Sequence, residues 1–342
     1  MLVLQVAPDT DAIDGIVPSE SAPATACRLP LSVAGFILDV DIPMTVRVTP
    51  LHPHIGAEVG GVDLREPVTA DTFVEIERAF NHHAVLVFRG QPVSDEQQLA
   101  FSRRFGPLES SYIFAGEKRR RLGEPELFDI SNLDPDGHIL APDSARRMFN
   151  LGNQLWHTDS SFKHVPARAS LLSAREVPPT GGETEFADLR AAYEALPAEK
   201  RRQLEGLVAE HSIYHSRSLL GFTDFNEDVR SELPPAQQQL VRTHAGSGRK
   251  SLYLASHASH IIGWPIEEGR RLIAELIEFS TQPQFVYQHR WGSGDLVMWD
   301  NRCTMHRGRP YDEVTYRRDM HRTTVSDEIN SVERERGGRA VA

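Results

Sequence analysis

The chain has 342 residues, 40% of them hydrophobic, and a formal net charge of -11; the length permits one large or two modest domains and the apolar content a sizeable core. That acidity argues against nucleic acid or an anionic membrane as the main partner, since both require a basic surface. The only cysteines, Cys27 and Cys303, supply no disulfide framework and suit a reducing cytoplasm, and no apolar run is long enough to span a bilayer.

Residues 1–43 are rich in Pro, Ala, Ser and Asp and are expected to be a disordered leader or to reflect a start codon placed too far upstream. A single catalytic unit is expected over 44–330, with a flexible tail over 331–342. From Val46 the pattern runs strand, turn, helix. Phe73, Ile76, Ala79 and Phe80 have the three-and-four spacing of an amphipathic helix over Ala70–His82. Ala84–Phe88 reads as a buried strand, and Ser94 with Gln97 forms a capping box for a helix over Asp95–Phe105. Ser110–Leu151, containing the basic run Lys118-Arg119-Arg120-Arg121, is expected to be a long solvated loop that closes over the substrate.

Further strands are expected at Ala169–Ala174, Phe285–Trp291 and Leu296–Trp299, with a glycine turn at Pro178–Gly182. Leu189–Leu207 reads as helix interrupted at Pro197, and Glu267–Ser280 as an amphipathic helix. Val241–His244 and Ser251–Leu254 form a hairpin across Ala245–Lys250. Many short strands with flanking helices suit a mainly β fold, a jelly-roll or double-stranded β-helix barrel of the cupin kind.

Chemistry concentrates at Trp156-His157-Thr158-Asp159 and at His306. On a strand, residues two apart share a face, so His157 and Asp159 would offer a nitrogen and a carboxylate to one point. A third ligand, His306, would complete the two-histidine, one-carboxylate face of non-haem Fe(II) oxygenases and leave the opposite side open. Downstream, Arg318, Met320 and Arg322 would share another strand face, and each guanidinium could clamp a carboxylate. Arg322 lies about 13 Å beyond Arg318 at strand rise and so would serve a second anion. Asn153, His215 and His244 are the further candidates for substrate contact. His82, His83, His164, His257, His260 and His289 read as surface or packing residues, Cys303 as a small buried hydrophobe, and Trp156 and Trp299 as core.

The ordered motifs Gly60-Gly61-Val62-Asp63-Leu64-Arg65, Val87-Phe88-Arg89-Gly90-Gln91, Phe105-Gly106-Pro107-Leu108-Glu109, Trp156 to Phe162, Gly181-Gly182-Glu183-Thr184 and Trp299-Asp300-Asn301-Arg302 carry a resemblance. Over about Val46–Val325 the chain resembles the taurine dioxygenase and 2,4-dichlorophenoxyacetate dioxygenase family, with the closer match in the second branch. The resemblance implies a jelly-roll fold, Fe(II) on His157, Asp159 and His306, and 2-oxoglutarate and O2 as cosubstrates. It also implies that Arg318 and Thr184 hold the far carboxylate of 2-oxoglutarate and that Arg322 anchors a small anionic aromatic substrate. An aryloxyacetate is the expected substrate and taurine, with a sulfonate, the competitor. A zinc hydrolase would need a carboxylate poised to activate water, and a non-catalytic barrel would leave the two arginines unexplained. A homo-oligomer is compatible with the sequence.

Overall fold

The structure, a computed structural model, describes residues 32–33, 36–37, 46–111, 120–222 and 233–334. The chain divides into two units, Met1–Met44 and Thr45–Ala342. In the first, β1 (Ser32–Val33) pairs antiparallel with β2 (Phe36–Ile37).

The second unit is built on a seven-stranded sheet. It comprises β3 (Arg47–Pro50), β4 (Ala57–Gly60), β5 (Val85–Phe88), β6 (Phe128–Asp129), β7 (Ala167–Glu176), β15 (Leu296–Asp300) and β17 (Asp319–Ser326), in the order β3-β4-β5-β15-β7-β17-β6. The strands in its middle read as almost unbroken apolar runs because both faces are covered. On one face, Leu86, Phe88, Leu171, Leu296 and Met298 pack against Ile76, Ala79 and Phe80 of α1 (Ala70–His83) and Phe101 of α2 (Asp95–Arg103). On the other, Val85, Val87, Leu172, Val297, Trp299 and Met320 meet Phe186 of β8 (Thr184–Asp188). The period of two along each strand sends alternate residues into these two layers.

β8 is the centre of a second sheet, between β14 (Val286–His289) and β16 (Thr304–Gly308). Behind it, Ala187 and Met305 pack with Leu189 and Tyr193 of α4 (Leu189–Ala195) and Leu272, Ile273 and Leu276 of α7 (Ile266–Ser280). The same layer holds β9 (Val208–His211) between β10 (Ala236–Gln239) and β13 (Ala258–Ile261), and the hairpin of β11 (Val241–Thr243) with β12 (Lys250–Leu252). Mainly β structure with flanking helices is thus as expected. Hydrogen bonding among the described residues joins the strands into separate sheets and does not close them into one barrel.

The capping box is present, with Ser94 Oγ accepting from the Gln97 amide and Gln97 Oε1 from the Ser94 amide, but α2 stops at Arg103. Pro197 splits the expected long helix into α4 and α5 (Ala198–Leu204), because an interior proline removes a donor and clashes with the preceding turn. Part of the stretch expected to be a long solvated loop closing over the substrate is built into the scaffold: β6 pairs with β17, and α3 (Ala145–Asn150) leads into a 3-10 turn at Leu151–Gln154. Arg121 reaches Asp129 at 2.7 Å and Asp319 at 2.5 Å, so part of the basic run is an internal ion-pair anchor. Lys118 and Arg119 lie outside the described residues. No helix among the described residues is long and apolar enough to cross a membrane.

Candidate metal and anion site

His157 and His306 are held together by two backbone hydrogen bonds, His157 N–H to His306 O at 3.0 Å and His306 N–H to His157 O at 2.8 Å. This is an isolated bridge, and Asp159 already lies in the turn that follows. The expectation that His157 and Asp159 share a strand face is therefore corrected: a turn, not strand alternation, returns the carboxylate to the histidines. Ser160 takes the left-handed conformation in that turn, at φ 53°. The single Thr158 hydroxyl proton is shared between Leu254 O and Thr304 O, each 2.9 Å from Oγ1, and helps to fix the turn. The Asp159 amide donates to Asn301 Oδ1 at 3.2 Å.

The ligand atoms of His157, Asp159 and His306 all lie within 4.8 Å of one another. Asp159 Oδ1 is 3.8 Å from His157 Nε2, and Oδ2 is 3.7 Å from His306 Nε2. All three residues are buried. The Leu155 carbonyl lies 2.8 Å from His157 Nδ1 and can only accept, so the proton sits on Nδ1 and the Nε2 lone pair faces the carboxylate. Burial pushes both imidazole pKa values down and keeps the rings neutral, the form that binds a metal. For Asp159, burial alone would raise the pKa; the Arg322 guanidinium above all, with the Ser170 hydroxyl, outweighs it and holds the carboxyl well below the usual carboxylate range. Two neutral imidazoles and one carboxylate in this arrangement fit a divalent transition metal.

Beside the triad lies a cavity of about 110 Å³, lined among others by Thr184, Arg318, Arg322 and Asn153. Arg318 stands just before β17, where a register shift separates Asp319 from Met320, so the expected alternation with Arg322 is interrupted, yet both side chains reach the cavity. The Arg318 amide donates to Asn132 Oδ1 at 2.8 Å. Burial lowers its pKa, only partly offset by Tyr311, and no carboxylate among the described residues pairs with it. Gly182 beside it takes the left-handed conformation, at φ 70°, where a side chain would be strained; a Cβ there would meet Pro178 Cγ at 3.2 Å. Thr184 Oγ1 accepts from Trp291 Nε1 at 3.0 Å, leaving its own hydroxyl proton free to donate.

Arg322 departs from expectation. Its Nη1 donates to Asp159 Oδ1 at 2.6 Å, while its Nε is buried without an acceptor. Ser170 Oγ donates to Asp159 Oδ2 at 2.7 Å and accepts from Asn301 Nδ2 at 2.9 Å. Trp299 Nε1 donates to Asn301 Oδ1 at 3.2 Å. Ser170, inside β7, and Asn301, just past β15, are polar residues set in apolar surroundings, the one signal of a role that the sequence carries. Arg217 was also passed over. It is 6% exposed, with its guanidinium 4.0 Å over the Phe149 ring.

His215 and His244 are not brought to this cavity, which corrects their expected substrate contact. His215 is half-buried on α6 (Ile213–Ser218). His244 is buried, with Nε2 2.8 Å from Asp300 Oδ2 and Nδ1 2.8 Å from Ser247 Oγ. His244, Asp300 and Cys303 are grouped closely enough to suggest a second metal site. Arg302 clamps Asp300 at 2.9 and 2.6 Å, so this carboxylate is already neutralised inside an ion network. Cys303 sits in the turn before β16 and is fully buried; burial pushes its thiol pKa up, the inert behaviour expected of it. His257 is buried too, its Nδ1 2.8 Å from Ser216 Oγ and its ring 4.9 Å from Phe162.

The family model for taurine catabolism dioxygenases, the TauD, TfdA family, matches residues 47–324. An alpha-ketoglutarate-dependent 2,4-dichlorophenoxyacetate dioxygenase of Cupriavidus pinatubonensis is 53% identical over 285 residues, covering 83% of this chain and 99% of that protein. A (S)-phenoxypropionate/alpha-ketoglutarate-dioxygenase of Sphingobium herbicidovorans is 37% identical, over 82% of this chain and 94% of that one. The crystal structure of AAD-2 in complex with Mn(II) and N-oxalylglycine superposes with a TM-score of 0.78 at 49% identity, covering 84% of this chain and 99% of that one. A taurine dioxygenase structure from Burkholderia xenovorans reaches 0.67 at 30% identity, over 84% and 91% of the respective chains. The three-ligand cluster, its flanking arginines and these matches lead to one conclusion: the chain belongs to the TauD/TfdA dioxygenase family.

Proposed function

We propose that the protein is an Fe(II)- and 2-oxoglutarate-dependent dioxygenase that hydroxylates an aryloxyacetate such as 2,4-dichlorophenoxyacetate, giving a phenol and glyoxylate beside succinate and CO2. The observation that carries the reading is that the two histidines of the His-Asp-His cluster, the unpaired Arg318 and Arg322 all border one small cavity. The identity to 2,4-dichlorophenoxyacetate dioxygenases, far above that to taurine dioxygenase structures, favours an aryl carboxylate over a sulfonate. On this reading the two packed sheets are the halves of a double-stranded β-helix, and the low cysteine content fits a reducing cytoplasm.

Iron and 2-oxoglutarate, when bound, supply oxidation by O2 coupled to decarboxylation, which places a hydroxyl on the substrate carbon between ether oxygen and carboxylate; the resulting hemiacetal breaks down to the phenol and glyoxylate. The residues of the chain orient and enclose. His157, Asp159 and His306 hold the metal. Arg318 offers a two-pronged donor to the far carboxylate of 2-oxoglutarate, with the Thr184 hydroxyl as a further donor. Arg322 holds Asp159 with Nη1, and the rest of its guanidinium is placed to receive the substrate carboxylate in the cavity it lines together with Asn153. Leu172 and Trp299 supply an apolar wall that favours an aromatic ring and limits water.

The deciding measurement is succinate release with Fe(II), 2-oxoglutarate and either 2,4-dichlorophenoxyacetate or taurine. Phenol from the first, with little sulfite from the second, is expected; sulfite without phenol from any aryloxyacetate would overturn the substrate assignment and leave the metal site intact.

A further inference from the structure

A second cavity, about 220 Å³ in volume, lies where β10, β11 and the turn before β16 meet the last described residues. Its wall contains three arginines, Arg242, Arg302 and Arg334, in a chain whose net charge is -11. Each is only partly used. Arg302 gives Nε and Nη2 to Asp300, and Arg334 gives Nη2 to Asp327 at 3.0 Å. Arg242 gives Nη2 to the side-chain oxygen of Gln238 at 2.7 Å, lies with its guanidinium 3.2 Å over the Tyr253 ring, and has a buried Nε without an acceptor. No carboxylate among the described residues is within ion-pair distance of Arg242.

Three guanidiniums against the two carboxylates paired with them leave one positive charge uncompensated. A guanidinium has five N–H donors, and even with Arg302 Nη2 also bonded to Asn81 Oδ1 at 3.3 Å, spare donors remain on all three of these cavity-lining side chains. Burying such a cation with no counter-charge is costly, and the cost falls if an anion completes the group. We propose that this cavity is a binding site for a small oxyanion, the carboxylate or phosphate group of a metabolite, separate from the iron site. The planar, two-pronged geometry of arginine matches either group. His244 forms part of the wall but spends both ring nitrogens on Asp300 and Ser247, so the arginines carry the recognition.

The test is the melting temperature of the full-length protein against inorganic phosphate in one series and acetate in another, at ionic strength held constant with sodium chloride. A ligand that binds the folded state raises Tm along a saturable curve. Wild type is expected to show saturation with at least one of the two anions, and which one identifies the group recognised. Arg242→Met and Arg334→Met should each weaken the apparent affinity by about tenfold or more. Arg242→Met removes the unpaired charge together with the Gln238 bond and the Tyr253 contact; its anion-free Tm, read in the same series, reports that folding cost separately from the dependence of Tm on anion concentration. These variants leave the iron site untouched, which separates loss here from binding there. No saturable rise with either anion, or the same curve in the variants as in wild type, would overturn the proposal.

Discussion

Arg322 Nη1 lies 2.6 Å from Asp159 Oδ1, so the arginine expected to serve only the substrate is bonded to a metal ligand. It is the leading positive neighbour that keeps the Asp159 carboxyl ionised, and it fixes the direction of one of its oxygens. Loss of such a supporting bond typically lowers metal affinity by about 10–100-fold. Arg322→Ala should therefore weaken Mn(II) or Fe(II) binding by that order even without substrate. Unchanged metal affinity alongside a raised KM for the aryloxyacetate would confine Arg322 to the substrate.

Arg318 has the opposite character, a buried guanidinium with no carboxylate partner among the described residues. Arg318→Lys keeps a charge but loses the fork, and the KM for 2-oxoglutarate should rise by a factor corresponding to about 1.5–3 kcal/mol. Metal affinity measured without 2-oxoglutarate should hardly change, which distinguishes this variant from Arg322→Ala.

Ser170 is fully buried and links Asp159 Oδ2 to Asn301 Nδ2. Ser170→Ala strands a donor and weakens the support of a charged acceptor at once, a loss of about 1–3 kcal/mol. Urea unfolding of the metal-free variant should report it. The residue opens no large cavity, so a change well below that range would mean that water takes over both bonds.

The elements set by local rules were legible in the chain. The Ser94 capping box, the Pro197 break and the glycine-turned hairpin of β11 and β12 depend on neighbours a few residues apart, and all are present. The ligands were legible by type, but the reason they converge was not. Asp159 reaches the histidines through a turn held by Thr158 and Asn301, contacts that span more than 90 residues of sequence. His244 was misread for the same reason: its partner Asp300 is 56 residues away, and nothing near His244 in the sequence distinguishes a buried ion pair from a substrate contact. β6 was hidden because it is only two residues long and pairs with a strand nearly two hundred residues later.

Stability should depend on pH through His321. Burial alone would lower its pKa, but Asp319, 3.4 Å from Nε2, and Asp95, 2.6 Å from Nδ1, raise it above the ordinary 6.5. A raised histidine value gives stabilisation that is complete below pH 6.5 and is lost as pH climbs through the folded value. Asp319 is held down to about 2 against burial, first by His321 and then by Arg121. Its contribution is present above the ordinary 3.8 and fades as pH falls toward 2. Tm is therefore expected to decline on both flanks, and His321→Gln should flatten the decline above pH 6.5. An unchanged alkaline flank in that variant would assign it to other groups.

Arg217 gives the last prediction. Its guanidinium is stacked on Phe149, its Nε is buried without an acceptor, and no carboxylate among the described residues pairs with it. Burial alone pushes its pKa down to about 10. Gly152 lies directly beneath: a Cβ there would fall 1.9 Å from Nη1. Because the arginine is enclosed it has little room to swing away, so Gly152→Ala should cost about 1–3 kcal/mol, the range for overpacking. Arg217→Met removes a buried charge that has no partner and should leave stability equal or higher. Since methionine is narrower at its tip and bends more freely, the double variant should recover most of the Gly152→Ala loss, giving a coupling energy that urea unfolding of all four proteins measures. Gly152 sits in the 3-10 turn with no positive φ, so its backbone does not itself demand glycine; simple additivity of the two changes would show that any cost of the alanine arises from contacts other than the arginine above it.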